Sequence, residues 1–188
     1  TRIAVESNTM DGNGMGGGVA LSNVGVGTLT SLVVRNNIAN VLRRNDDPMV
    51  SGGGGISMSK GTIATVVNCL VLSNVVGTVG TGGGVLVDGS SEVAIVGGSI
   101  ESNVASGGGG IDVQGTSKLV LKESVLVRDN KCSDSGSGGG VSVGTESSLL
   151  AKEETLIERN VGGHGGGVSV SGRGSTVSLE KTSLIGNL

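Results

Sequence analysis

Residues 100–113 read IESNVASGGGGIDV, and this stretch decides the fold of the chain. By itself it fits three interpretations: a flexible glycine linker, one calcium-binding nonapeptide of the GGxGxDxUx type, or a corner in a repeated architecture. The rest of the sequence distinguishes between them, because the two landmarks in this stretch recur along the chain. One is a glycine cluster followed by an apolar-x-apolar triplet, and the other is an aliphatic-x-x-Asn motif.

The spacing of the two landmarks indicates stacked coils. From the last glycine of a cluster to the following asparagine the distance is 19 or 20 residues, as in 103 − 84 = 19 and 130 − 110 = 20. From the asparagine to the next last glycine it varies, from 110 − 103 = 7 to 55 − 37 = 18. Constant blocks joined by one variable connection are typical of solenoids. The last glycines are Gly18, Gly55, Gly84, Gly110, Gly140 and Gly167, and the asparagines are Asn8, Asn37, Asn74, Asn103, Asn130, Asn160 and Asn187.

Within each constant block the apolar residues alternate, which predicts strands. After each glycine cluster the first and third residues are apolar, so we expect them to face the core. The second residue is expected to face solvent; it is Ala20, Ser57, Leu86, Asp112, Ser142 or Ser169. The sequence therefore predicts an all-β, single-stranded parallel β-helix of about six coils of 26–37 residues, with three short strands per coil.

Each landmark has a structural role in such a solenoid. Coils that stack about 4.8 Å apart place identical residues on top of one another. An asparagine at a fixed turn position can then bond to its copies above and below while it caps turn amides. Glycine suits the corners, because it adopts positive φ and allows close backbone approach. We expect an asparagine ladder and a row of glycine corners.

Composition excludes several function classes. The chain has 188 residues, 38 glycines, no aromatic residue and a net charge of −3. Because it has no run of lysine or arginine and no stacking aromatics, nucleic-acid binding is not expected. No apolar run approaches the roughly 20 residues of a membrane helix, so this segment is not expected to insert directly into a membrane. Cys69 is expected to point into the core and Cys132 to lie in a loop, too far apart for a disulfide.

The candidate chemical motifs all have plain structural explanations. Asp112 completes one calcium nonapeptide, but the other coils lack the repeated carboxylates that would share an ion. The GxGxxG match at residues 12–17 lacks a strand-turn-helix context, and His164 lies between glycines without another histidine. The acidic residues Glu123, Glu153, Glu154 and Glu180 alternate with Lys122, Lys152 and Lys181, which is typical of a solvent face. We predict no catalytic, cofactor-binding or metal-binding residue.

The longest connection is the candidate contact loop. It covers residues 38–51 and contains Arg43, Arg44, Asp46 and Asp47. A loop of this length can recognise a partner, but it can also be a tolerated solvent-exposed insertion, because closing a longer loop costs little free energy.

The repeats resemble those of the chlamydial polymorphic outer membrane proteins. In that family a glycine pair followed by Ala, Ile, Leu or Val alternates with a Phe-x-x-Asn motif, and here Val, Ile or Leu occupies the position of the phenylalanine. The similarity extends over nearly the whole chain. It implies a right-handed parallel β-helix, a handedness that parallel crossovers also favour. It further implies an autotransported adhesin-like passenger.

These observations favour a non-enzymatic structural or adhesin-like rod, extracellular or at the cell surface, without a cofactor. Its expected partners are other protein chains or further coils stacked end to end, and extracellular glycans or proteins. Because no polar cap is evident at residues 1–188, we expect an interior segment of a longer chain or a fibre component. The alternative is a carbohydrate-active β-helix enzyme, or a non-catalytic part of one, with Glu153 and Glu154 as its acids. Ice binding is disfavoured, because threonine does not recur at one outward position.

Overall fold

A computed structural model describes residues 2–11, 16–40, 52–77 and 79–188. In these ranges the chain is an all-β parallel solenoid of about six turns, whose strands form four parallel sheets along the axis. The predicted single-stranded parallel β-helix is confirmed. Each sheet collects one strand from successive coils, so every long-range backbone bond joins neighbouring coils.

Three sheets enclose the core, in the order in which each coil visits them after its glycine corner. The first contains β3 (Val19–Ser22), β7 (Ile56–Ser59), β11 (Val85–Val87), β15 (Ile111–Val113), β19 (Val141–Val143) and β22 (Val168–Val170). The second contains β4 (Gly27–Thr30), β8 (Ile63–Val67), β12 (Glu92–Val96), β16 (Lys118–Lys122), β20 (Ser148–Ala151) and β23 (Thr176–Leu179). The third contains β1 (Ile3–Glu6), β5 (Leu32–Arg35), β9 (Leu70–Leu72), β13 (Ser99–Glu101), β17 (Leu126–Arg128), β21 (Leu156–Glu158) and β24 (Ser183–Ile185).

A fourth, shorter sheet lies in the connections that follow the first five asparagines, Asn8 to Asn130. It contains β2 (Thr9–Asp11), β6 (Ile38–Asn40), β10 (Val75–Val76), β14 (Val104–Ala105) and β18 (Lys131–Cys132). The sequence predicted three strands per coil, and the structure adds this one. Strands of two or three residues are too short for an alternating pattern to be recognised in the sequence.

Register between coils places like residues on one another. Ile111 pairs with Val85 on one side and with Val141 on the other, and Val113 does the same with Val87 and Val143. These side chains are fully buried and belong to a single core of aliphatic residues. Because rows of Val, Ile and Leu fill the narrow interior coil by coil, the core forms without aromatic rings.

Two expectations about burial are wrong. The second residue of the first-sheet strands was expected to face solvent, but in the middle coils Ser57, Leu86, Asp112 and Ser142 are buried. The reason is that the connections fold back over the outer surface of this sheet. Cys132, expected in a loop, lies in β18 and is buried. Cys69 belongs to the core as predicted, and both cysteines are free thiols.

A second polar ladder, made of hydroxyl groups, was not predicted. The backbone N–H of Thr62 donates to Ser91 Oγ, that of Ser91 to Ser117 Oγ, and that of Ser117 to Ser147 Oγ, each at 3.2 Å. All four residues are buried. They satisfy turn amides where each coil passes from the first sheet to the second, because a buried N–H without an acceptor would be costly.

Candidate functional site

The asparagine ladder is continuous through all seven predicted residues. Each side-chain Nδ2 donates to the Oδ1 of the next asparagine at 2.9–3.0 Å, from Asn8 through to Asn187. The same Oδ1 accepts the backbone N–H of the preceding asparagine at 2.9–3.1 Å. Asn103 Nδ2 also donates to the carbonyl of Val71 at 3.0 Å. The amide group of each inner member is thus satisfied, which stabilises the turn after the third sheet.

The three glycines at the corner of residues 108–110 have three different roles. Gly108 has φ +54°, a left-handed backbone conformation that favours glycine. A Cβ on Gly109 would lie 2.5 Å from the carbonyl carbon of Lys131. A Cβ on Gly110 would lie 2.9 Å from Asn130 Nδ2. The predicted corner residue Gly110 therefore allows close approach to the ladder, while positive φ belongs to Gly108 two residues earlier.

The connections form a ridge along one side of the solenoid. Their described residues leave the core after an asparagine, form the short fourth sheet in the connections after Asn8 to Asn130, and lead to the next glycine corner. A small second apolar cluster of Ala39, Val76 and Ala105 lies beneath them. The predicted contact loop is the longest of these connections, but Arg43, Arg44, Asp46 and Asp47 lie outside the described residues.

An open groove of about 320 Å³ crosses this ridge. It extends over neighbouring coils, since its lining comes from connections and from the outward side of the first sheet. The lining is rich in hydroxyl groups and glycine, and Asp112 is its one charged residue within the described part of the chain. The lining residues are Thr81, Ser106, Gly107, Asp112, Gln114, Ser135, Gly136, Ser137, Ser142, Gly144 and Ser171.

Asp112 is the electrostatically unusual residue of the groove. Its side chain lies on β15, opposite the core, and the residue is only 4% exposed. Burial raises the pKa of its carboxyl group, and the negative charge of Asp88 adds to this, whereas the hydroxyls of Thr81 and Ser142 oppose it. No lysine, arginine or histidine is among the groups that affect this pKa. The groove thus holds a buried carboxyl group whose charge has no basic partner in the described chain.

Buried hydroxyls without a bonding partner occur on the same side. Among the described residues, Thr81 Oγ1, Ser57 Oγ and Ser59 Oγ are buried and have no hydrogen bond of standard geometry. Buried polar atoms are nearly always paired in proteins, either with protein groups or with ordered water. Thr81 is the one of the three that lines the groove, and its backbone pairs with Gly107.

The acidic residues suggested for an enzyme are placed elsewhere. Glu153 and Glu154 have φ of +54° and +65° and form the corner between the second and third sheets. Glu153 forms an ion pair with Lys152 at 3.0 Å, and the hydrogen bond from Lys152 lowers the pKa of its carboxyl group. Lys122 and Glu123 form the corresponding pair at 3.8 Å. The predicted mixed-charge solvent face is confirmed at these positions.

The remaining candidates do not combine into a site. His164 is exposed, and its backbone forms a bridge with Ser137. The GxGxxG match falls partly on residues 12–15, which lie outside the described ranges. No three His, Cys, Asp or Glu side chains within the described ranges form a group that could hold a metal ion. In the same ranges no helix is long and apolar enough to span a membrane.

The groove was not predicted from the sequence, although Asp112 stands out there as a lone aspartate. The signal was present: aspartate stands at a position that in neighbouring coils holds serine or leucine. The interpretation failed because an alternating strand pattern does not show that the connections cover the polar side of the sheet. Thr81 and Ser135 come from connections of other coils, and only stacking brings them near Asp112.

The fold and the groove define the chain as a parallel β-solenoid with a polar side ridge. No family model matches this chain, and neither the curated proteins nor the solved structures contain a match.

The burial of Asp112 predicts a pH-dependent stability difference against Asp112→Asn. The folded-state pKa is raised, so the folded protein binds more protons than the unfolded chain between the two pKa values. Stability from this group is therefore present below about pH 4 and is lost as the pH rises through the folded-state pKa. We therefore expect the stability of wild type to fall relative to that of Asp112→Asn as the pH rises from about 4 to about 7.

Urea unfolding of both proteins at several pH values measures this difference. Asp134→Asn is the matched control, because it removes the same charge from an exposed position on the ridge. The control should follow the wild-type curve. Parallel wild-type and Asp112→Asn curves from pH 3 to pH 7 would contradict the prediction.

Proposed function

We propose that this chain is a non-enzymatic, adhesin-like β-helical rod that presents its side ridge to protein partners outside the cell or at its surface. Its repeats are similar in design to those of the chlamydial polymorphic outer membrane proteins, and the proposal includes a relationship to them. One observation carries it: a rigid scaffold, with a continuous asparagine ladder, supports connections of different length on a single side. Binding surfaces are commonly built on variable loops that a rigid scaffold positions.

The groove at Asp112 is the part of the ridge best suited to contact a partner. It combines the buried Asp112 carboxyl group, which has no basic partner among the groups that affect its pKa, with the buried hydroxyl of Thr81. A buried carboxylate without a cation nearby is unfavourable, and a bound molecule that supplies the positive charge offsets this cost. The alternative enzyme, with Glu153 and Glu154 as its acids, would need a raised pKa at one of these two residues. The lowered pKa of Glu153 does not favour that role.

Shortening one connection tests the proposal. Residues 131–137 are replaced by VASG, the sequence of residues 104–107, which is the natural short form of this connection. Purified wild type and variant are compared for binding to immobilised extracellular-matrix proteins and to acidic and neutral polysaccharides, and the soluble polysaccharides are checked for cleavage. We expect saturable binding of wild type to a matrix protein, at least tenfold weaker binding of the variant, and no cleavage.

A variant with Glu153→Gln and Glu154→Gln serves as the control. It changes two exposed corner residues away from the ridge, so its binding should equal that of wild type. Circular dichroism establishes that each variant keeps its β structure. Polysaccharide cleavage that disappears in this control variant would overturn the proposal in favour of an enzyme.

A further inference from the structure

The floor of the groove presents three oxygen acceptors close together. Asp112 and Ser142 pair in register on β15 and β19, so their side chains stand side by side at the strand spacing of about 4.8 Å. Both residues are more than nine-tenths buried, at 4% and 8% exposed. Thr81 lies across from them, and its hydroxyl is near enough to influence the Asp112 carboxyl group. Its Oγ1 is buried and interacts with the Asp112 carboxyl group without a hydrogen bond of standard geometry.

The described lining of the groove carries a negative charge and no positive charge. Asp112 is the charged group among its described lining residues, and Asp88 places a second negative charge nearby. Taking a carboxylate without a basic partner out of water is unfavourable, and a bound cation offsets this cost. The chemistry therefore selects a positively charged ligand with about three hydrogen-bond donors.

A primary ammonium group meets these requirements. It carries one positive charge and three donors on a compact centre. A guanidinium group has five donors in a plane; two can pair with the two oxygens of the carboxylate, and the remaining three would then face only two hydroxyl acceptors. A calcium ion takes six to eight oxygen ligands, more than the three acceptors at the floor of this groove.

The walls of the groove indicate what carries the ammonium group. Gly107, Gly136 and Gly144 add no side chain to the lining, which suits an unbranched chain of methylene groups better than a branched one. The whole sequence contains no aromatic residue, so the stacking platforms that commonly bind sugar rings are absent. The lining thus favours an aliphatic amine over an amino sugar.

We propose that this groove binds the ε-ammonium group of a lysine side chain from a partner polypeptide, with Asp112, Thr81 and Ser142 as its acceptors. The inference rests on the proposed function and deepens it, because it names the chemical feature that the ridge recognises. The Asp112 carboxylate forms an ion pair with the ammonium group, and the two hydroxyl oxygens accept hydrogen bonds from its remaining N–H groups. The glycines contact the methylene chain.

The test uses the whole chain and small probes. The ¹⁵N-labelled protein at pH 7 is titrated with Nα-acetyl-lysine methylamide and, separately, with Nα-acetyl-norleucine methylamide, which has the aliphatic chain without the ammonium group. We expect the lysine probe to shift the amide signals of Thr81, Asp112 and Ser142 in a saturable manner, with millimolar affinity. The norleucine probe should bind at least tenfold more weakly.

Variants identify the acceptors. Asp112→Asn should weaken binding of the lysine probe at least tenfold, while Asp134→Asn, which removes the same charge outside the groove lining, should leave it unchanged within twofold. Thr81→Val should weaken it severalfold, because it removes the hydroxyl that lies beside the Asp112 carboxyl group. If Asp112→Asn does not fold, the affinity of Thr81→Val for the lysine probe tests the inference instead.

Three results would overturn the inference. The norleucine probe could bind as tightly as the lysine probe, or Asp112→Asn and Thr81→Val could both bind the lysine probe as tightly as wild type does. The third is that wild type binds glucosamine more tightly than the lysine probe. The last result would assign the groove to amino sugars. Failure here is distinct from failure of the proposed function. If the lysine probe does not bind but shortening residues 131–137 abolishes matrix-protein binding, the ridge is an interaction surface of different chemistry.

Discussion

Replacing Gly109 with alanine is expected to lower the free energy of unfolding by about 3 kcal/mol or more. The new Cβ would lie 2.5 Å from the carbonyl carbon of Lys131 and 2.6 Å from the carbonyl oxygen of Gly139. Both are backbone atoms held in neighbouring strands and turns, so neither can rotate away as a flexible side chain could. Relief would require the corner to move away from the fourth sheet, which would disturb the bonds on either side.

Urea unfolding followed by circular dichroism measures this effect, and Gly107→Ala is its control. Gly107 lies in the same glycine cluster, but a Cβ there would contact Thr81 Cγ2 at 3.5 Å, an ordinary van der Waals distance. We expect the control to change stability by less than about 0.5 kcal/mol. Equal destabilisation by the two substitutions would show that close backbone approach does not explain the glycine at position 109.

The second large effect is expected for Asn103→Ala, which should destabilise the protein by about 2 to 3 kcal/mol. The substitution removes the acceptor for the N–H and Nδ2 of Asn74, and the donor to Asn130 Oδ1 and to the carbonyl of Val71. Asn74, Asn103 and Asn130 are completely buried, so water does not replace the lost bonds. Each buried group left unsatisfied costs about 1–3 kcal/mol, and local relaxation recovers part of the sum.

Asn8→Ala is the matched control for the ladder. Asn8 is exposed, and its described side-chain bond runs in one direction only, from Nδ2 to Asn37 Oδ1. We expect a loss of less than about 1 kcal/mol, again from urea unfolding. If both alanine variants lose the same stability, the ladder contributes through local turn geometry rather than through buried bonds between coils.

Much of the fold could be predicted from residue spacing. The constant distance of 19 or 20 residues between Gly84 and Asn103, or Gly110 and Asn130, fixes the length of one coil. Alternation in Val85–Val87 and Ile111–Val113 fixes which side chains enter the core. These features are local and periodic, so a one-dimensional sequence contains them. The fourth sheet was missed because strands such as β14 are too short to show any period.

The candidate site could be predicted only in part. Asp112 was noticed as a lone aspartate, and the absence of repeated carboxylates argued against a calcium site. Its burial was not foreseen, because that depends on how the connections before and after the strand fold over it. Nor could Thr81 be connected with Ser142, since 61 residues separate them in the chain (142 − 81 = 61).

The sequence by itself determined the solenoid: the repeat length, the buried aliphatic rows, the asparagine ladder and the glycine corners follow from residue types at regular spacing. The tertiary structure alone decided which polar side chains are buried and where a groove opens. The physical reason is that the coil repeat depends on backbone hydrogen bonds and aliphatic packing, which identical positions repeat. The groove depends instead on the irregular connections, whose lengths and side chains differ from coil to coil and meet only when the coils stack.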